Sequence, residues 1–145
     1  MSNLGYGYYY GDGLKKNMKQ AYLYFSKAAL LGELDALYML GDMYMGGYFV
    51  EKDEKTAFRI YWDAYTRCKD RLEEFWAKQV YSSACFRIGK CFYEGKGIEQ
   101  DTIKAEHFLA EAHCYYKLRM QKNDRFAEKG AKNAEEWLVK AINKG

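Results

Sequence analysis

The sequence predicts an all-α protein: a right-handed α/α superhelix, or solenoid, of three helix-pair repeats with a C-terminal capping helix. Three observations predict it. One pattern recurs in register along the chain. The 145 residues contain no proline, which suits uninterrupted helices. The apolar positions inside each copy fall at helical spacing. In the recurring pattern, Gly5, Gly41 and Gly89 each follow an aliphatic residue (Leu4, Leu40, Ile88). An aromatic sits three residues on (Tyr8, Tyr44, Phe92) and a second glycine six on (Gly11, Gly47, Gly95). An aliphatic follows (Leu14, Val50, Ile98), then an acid or amide (Asn17, Asp53, Asp101), then an alanine (Ala21, Ala57, Ala105). The copies are offset by 36 and then 48 residues. Self-similarity at such a period is the signature of stacked helix pairs.

The whole chain, 1–145, reads as one repeat domain. Repeat one spans 1–32. Repeat two spans 33–69, with an extended hairpin to 83. Repeat three spans 84–123, and a capping helix spans 125–143. Each copy resolves into helix A, a glycine-bearing loop and helix B. In copy two, helix A is expected over Asp35–Gly46, with Ala36, Leu40 and Tyr44 on one face. Gly47 ends it by reaching the left-handed backbone region cheaply. Asp53 is the expected N-cap of helix B, as are Asn17 and Asp101 in the other copies. Gln20, three residues after Asn17, suggests an amide version of a capping box. Helix B carries two alanines a heptad apart around a larger residue: Ala21, Phe25, Ala28; Ala57, Tyr61, Ala64; Ala105, Leu109, Ala112. Small residues let helix axes approach, and the large one fills the gap above helix A.

The start A-x-x-x-L-G-x-x-Y-x-x-G and the finish K-A-A-x-x-G resemble the Sel-one-like repeat family, relatives of the tetratricopeptide repeats. The residues that carry this are Ala36, Leu40, Gly41, Tyr44, Gly47, Val50, Asp53 and Ala57 in copy two. Copy three contributes Ala84, Ile88, Gly89, Phe92, Gly95, Gly97, Ile98, Asp101, Lys104 and Ala105. Copy one finishes with Lys27, Ala28, Ala29 and Gly32. The resemblance covers nearly all of residues 1–112. It implies an α/α solenoid that acts as an adaptor or scaffold, often in bacteria.

Departures from the pattern carry information of their own. Phe49 stands where the other loops have a second glycine (Gly13, Gly97). Twelve extra residues fall within Thr66–Ser83 and contain neither Gly nor Pro. They are expected to lengthen both flanking helices by a turn or two and to protrude as a hairpin. Leu72, Phe75, Trp76, Gln79 and Val80 would form its amphipathic stripe. At the C-terminus, Ala134, Leu138, Lys140, Ala141 and Gly145 repeat the spacing of Ala21, Phe25, Lys27, Ala28 and Gly32. The capping helix is expected to pack Phe126, Ala134, Trp137, Leu138 and Ile142 inward, since an open solenoid end would expose apolar surface. The alanine of helix A in copy one would precede Met1. Two readings stay open: a piece of a longer array, or a natural start with a frayed first helix.

Composition narrows the function classes. The net charge of +3 is too small to argue for nucleic acid by itself. The basic run Lys117, Arg119, Lys122, Arg125, Lys129 and Lys132 is spread around a helix and interrupted by Asp124 and Glu128, so a solvated surface is the expectation. No stretch is apolar for long enough to span a membrane. Cys68, Cys85, Cys91 and Cys114 match no zinc spacing, and the expectation is reduced, mostly buried thiols of a cytoplasmic protein. Gly11-Asp12-Gly13 and Gly95-Lys96-Gly97 lack the Lys-Ser/Thr and preceding strand of a phosphate loop. His107 and His113, six positions apart on one helix, face different ways. No catalytic or metal constellation is expected, and no cofactor.

The aromatic share of 18%, with 15 tyrosines, exceeds what a small core needs. In helix pairs of this kind helix A lines the inside of the curve. Its positions turned away from helix B are Tyr6, Tyr9 and Tyr10; Tyr38, Asp42 and Met45; and Phe86, Lys90, Tyr93 and Glu94. Tyrosine gives large contact area with few rotors, so these ten residues are the expected partner-binding face. Several of the rings could instead pack between copies. The expected function is a protein-interaction module, an adaptor or scaffold taking a protein or peptide on this face. Two alternatives remain: an immunity-type inhibitor of a cognate toxin, and nucleic-acid binding through the basic C-terminal region. The oligomeric state is not legible.

Overall fold

The computed structural model describes residues 2–120 and 124–144; for Ser2 and Arg125 it describes the backbone alone. Lys122 of the basic run and Gly145 of the terminal pattern lie outside the described residues. The order is α1 (Ser2–Tyr10), α2 (Met18–Leu30), α3 (Leu34–Gly46), α4 (Glu54–Cys68), α5 (Phe75–Glu94), α6 (Thr102–Met120) and α7 (Arg125–Lys144). Each helix packs on the next, and α3 and α5 touch, as do α5 and α7. This is an all-α solenoid. Helices α1, α3 and α5 are the A helices, and α2, α4 and α6 the B helices.

The recurring residues each have a geometric job. The first glycine of each copy lies against the large central residue of its own helix B. A Cβ on Gly5 would meet the Phe25 ring at 2.8 Å, and one on Gly89 would meet Leu109 at 2.7 Å. On Gly41 it would overlap the Tyr61 ring. The flanking alanines, Ala21, Ala28, Ala57, Ala64, Ala105 and Ala112, are fully buried. Helix axes therefore come close wherever small residues face one another. The caps also form: Asn17, Asp53 and Asp101 each accept from the backbone N–H three residues on, at 3.1, 3.0 and 3.1 Å. Their own N–H groups donate at 2.9 Å to the carbonyls of Tyr8, Tyr44 and Phe92. That second bond ties the end of each helix A to the start of helix B. It gives a physical reason for the fixed spacing between aromatic and cap.

The loops explain the second glycine and its exception. Gly13 and Gly97 are left-handed, with φ of 75° and 77°. A Cβ on Gly97 would overlap the Glu54 carbonyl at the start of α4. Phe49 takes the same left-handed region at φ 64°. That conformation costs a non-glycine residue on the order of 1–2 kcal/mol. Its ring lies 5.5 Å from that of Tyr22, which offsets part of the cost.

Three expectations are corrected. The extra residues do not make a free hairpin. Helix α4 has 15 residues against 13 in α2, whereas α5 has 20 against 13 in α3. Most of the added helix is thus the N-terminal half of α5, preceded by a turn at 69–74. Phe75 and Trp76 at its start are exposed, but most of the rest of this half is buried. Ala77, Val80, Tyr81, Ser82 and Ser83 are covered, and Tyr81, Ser83 and Ser82 hydrogen-bond to Glu111, Tyr116 and Arg119 of the 19-residue α6. Arg119, expected on a solvated surface, is buried there. Its Nη1 donates to Ser82 Oγ at 2.9 Å, and its Nε to Asp124 Oδ2 at 2.9 Å. A basic run shows where cations are dense but not which one turns inward.

The third correction concerns α7. Ala134 is buried and Trp137 and Leu138 are half-buried, but Phe126 is 84% and Ile142 55% exposed. The inward stripe is Ala127, Ala131, Ala134 and Ala141, at heptad-like spacing. Phe126 and Ile142 fall outside it. Although its sequence echoes a helix B, α7 stands in the row of A helices beside α5. A Cβ on Gly130 would overlap the Tyr116 ring of α6, so α7 approaches α6 closely as well.

Candidate functional site

Helices α3, α5 and α7 stand side by side, and their shared face holds a groove of about 450 Å³. Residues Phe86, Lys90 and Glu94 recur every four positions along α5 and make one wall, with Arg87 and Cys91 beside them. Asp42 and Met45 reach it from α3, Tyr9 from α1, and Phe126, Lys129 and Asn133 from α7. Tyr48 follows the left-handed Gly47 and folds back over the end of α3. A Cβ on Gly46 would overlap its ring, and the ring meets Tyr9 edge-on at 6.1 Å.

A charge cluster forms the floor. Asp42 Oδ1 accepts from Arg87 Nε and from the Tyr61 hydroxyl, both at 2.7 Å, and Oδ2 accepts from Arg87 Nη2 at 2.7 Å. Arg87 also donates to the Ser83 carbonyl at 3.1 Å, and its guanidinium lies 4.4 Å from the centre of the Tyr38 ring. Burial by itself would lower the Arg87 pKa, but the Asp42 carboxylate reverses this and holds it above its ordinary value. Burial raises Tyr61 and Tyr9 above the ordinary phenol value, with the Asp42 charge adding to both. These residues join α3, α4 and α5.

Six of the ten residues singled out by sequence line the groove: Tyr9, Asp42, Met45, Phe86, Lys90 and Glu94. Asp42 is engaged internally through both oxygens. Tyr6 and Tyr38 pack between copies, with hydroxyls 3.3 Å apart and the Tyr6 ring edge-on to Phe25 at 5.2 Å. Tyr10 is exposed and stacks on Tyr6 at 6.3 Å. Tyr93 sits beside the groove against Trp137 at 5.6 Å.

Sequence reasoning missed Tyr48, Arg87, Phe126, Lys129 and Asn133. Tyr48 had a faint signal, an aromatic pair directly after Gly46-Gly47. The sequence places Lys129 in the basic run and Phe126 among the inward residues, and gives no sign of Asn133, because it does not reveal that α7 joins the A row.

The lining offers rings, hydroxyls, an amide and cations. Its one thiol, Cys91, is pushed up to about 12 by burial, with Glu94 adding to the rise, and no histidine is among the lining residues. Elsewhere, His107 is exposed against Phe108 at 5.2 Å, and His113 Nε2 is buried without a hydrogen-bond partner. No group of three His, Cys, Asp or Glu side chains is arranged for a metal among the described residues. No helix among them is long and apolar enough to cross a membrane.

Comparison with known proteins agrees with the geometry. The Sel1 repeat family matches residues 1–33, 34–61 and 82–118. The chain is 30% identical over 92 residues to the Saccharomyces cerevisiae chitin synthase regulator SKT5, covering 63% of this chain and 12% of that protein. Two crystal structures share the fold. A Sel1 repeat protein from Oxalobacter formigenes superposes with a TM-score of 0.56 at 25% identity, covering 91% of this chain and 85% of that one. The protein c5321, a protective antigen of uropathogenic Escherichia coli with an SLR fold, gives 0.63 at 26% identity, covering 99% and 30%.

Proposed function

The chain belongs to the Sel1 repeat family of protein-interaction modules, and from that premise we propose that it is an adaptor or scaffold that holds a protein or peptide segment in the groove between α3, α5 and α7. The observation that carries this is the makeup of the groove: Tyr9, Tyr48, Phe86 and Phe126 around a half-buried, fully engaged charge cluster. Aromatic anchors on a rigid floor are what hot spots are made of. A preorganised floor also lowers the ordering cost of binding. The relative named as a regulator of another enzyme agrees with a role exercised through contact rather than turnover. This chain matches only a small share of that protein.

The test is photo-crosslinking from single positions. A benzophenone amino acid replaces Tyr48, Phe86 or Phe126 in turn, with Ile103 on α6, 81% exposed and outside the groove, as control. Adducts to one protein from the groove positions and none from Ile103 support the reading. Equal adducts from Ile103, or none from the groove, overturn it.

A further inference from the structure

We infer that the segment held in this groove is acidic: a peptide stretch carrying carboxylates next to an apolar or aromatic anchor. This rests on the groove being the binding face, as proposed above, and goes on to name the chemistry of its occupant.

The anions of the lining are already answered from within. Asp42 is held by Arg87, and Glu94 has Lys96 Nζ at 3.7 Å. The remaining cations, Lys90 and Lys129, have no carboxylate within 4 Å among the described residues. Four cations (Arg87, Lys90, Lys96, Lys129) thus face two anions (Asp42, Glu94) in one concave space, a surplus of two positive charges. The surplus continues along α7. Lys129, Asn133, Trp137, Lys140 and Lys144 recur at three- and four-residue steps, so they share a face. Lys140 and Lys144 also lack a carboxylate partner at that distance among the described residues.

Rings hold these lysines without neutralising them. Lys90 Nζ lies 4.9 Å and Lys140 Nζ 4.4 Å from the centre of Trp137, and Lys144 Nζ lies 4.6 Å from that of Tyr93. A cation over a ring is attracted by its quadrupole but keeps its full charge. The result is a concave space with a positive surplus and low-dielectric walls, which attracts and orients anions.

The same contacts argue for an acidic peptide over a nucleic acid. Single strands are held by bases stacking on open aromatic faces. Here lysines lie over Trp137, Tyr93 and Phe86. Among the described residues no lysine lies over Tyr9, Tyr48 or Phe126; the first two line the groove from the α1 and α3 side and Phe126 from α7, rings that suit an apolar side chain.

The full chain would be panned against a random dodecapeptide display library, and the most enriched peptide synthesised. Enrichment of Asp and Glu over the input pool is expected. The peptide should lose about tenfold or more in affinity against Lys90→Glu/Lys129→Glu, and several-fold as salt is raised. Lys15→Glu/Lys16→Glu, in the first loop, should bind as the parent does. If the charge-reversed chain loses its helical circular dichroism, Lys90→Met/Lys129→Gln replaces it, with a smaller loss expected in the same direction. Enrichment of neutral or basic peptides that still need Tyr48 and Phe86 would overturn the acidic occupant and leave the groove as the binding face. A pool that Tyr48→Ala/Phe86→Ala leaves unchanged, or no enrichment at all, would overturn both. An oligothymidylate that displaces the acidic peptide at a lower concentration than the peptide itself would overturn it in favour of nucleic acid.

Discussion

Four thiols in one small protein differ in reach and ionisation. Cys68, Cys85 and Cys91 are buried and Cys114 is exposed. Burial pushes Cys68 and Cys91 up to about 12 and raises Cys85 as well. The thiolate is the nucleophile, so reaction with a disulfide reagent at mildly alkaline pH should show one fast thiol in the native protein. The other three should appear only on unfolding. Two or more fast thiols would mean that the core opens readily.

Asp42 is the other residue with a sharp expectation. Asp42→Ala leaves Arg87 half-buried and the Tyr61 hydroxyl without its acceptor. Unfolding in urea should show a loss of about 2–3 kcal/mol. Adding Arg87→Met should recover part of it, whereas simple additivity would show that the pair is not coupled. The sequence offered Asp42 as a surface contact, because a lone acid on a helix face carries no sign of the arginine 45 residues away that meets it.

At the scale of elements, the glycine of helix A makes a counterintuitive prediction. Alanine ordinarily gains about 1 kcal/mol over glycine inside a helix. In α3, a Cβ on Gly41 would run into the Tyr61 ring. Overpacking costs about 1–3 kcal/mol, so Gly41→Ala should lower stability despite its better propensity. A raised melting temperature would mean that α3 and α4 separate without penalty. The caps behave conventionally: Asn17→Ala should cost about 1 kcal/mol, read as a drop of about 2–4 °C in melting temperature.

Helix starts, helix ends and the Ala/large/Ala faces were legible because each is a local bargain between neighbouring residues. How twelve extra residues divide between α4 and α5 was not legible. That depended on α6 being long enough to cover them.

At the scale of the whole molecule, the buried residues among those described fall into two clusters. Ala21, Phe25, Ala28, Ala36, Met39 and Met43 form the smaller, and the larger runs from α4 through α7. Stacks of this kind gain stability from neighbour to neighbour. Hydrogen exchange should therefore show α1 and α2 opening at lower denaturant than α5 and α6. Equal protection throughout would mean that the Asp42–Arg87 link makes the stack one cooperative unit.

The buried tyrosines set an alkaline limit. Tyr6, Tyr61 and Tyr81 are raised, mainly by burial, far above the ordinary value of 10.0. Below about pH 10 folded and unfolded chains both keep these protons. Above it the unfolded chain releases protons that the folded one retains, so stability falls as pH rises. Tyrosinate absorbance and circular dichroism should show late-ionising tyrosines titrating together with loss of helix.

By itself, the sequence determined the repeat, its helices, their caps and the close-packed faces, because these follow from contacts within a copy that the chain writes out three times. It also pointed to the helix A face, and six of its ten residues there line the groove. Tertiary structure alone decided which side the last helix joins, which tyrosines are used up between copies, and that Arg87 closes on Asp42. Those outcomes depend on residues from different copies competing for the same space. Spacing along one copy carries no record of that competition.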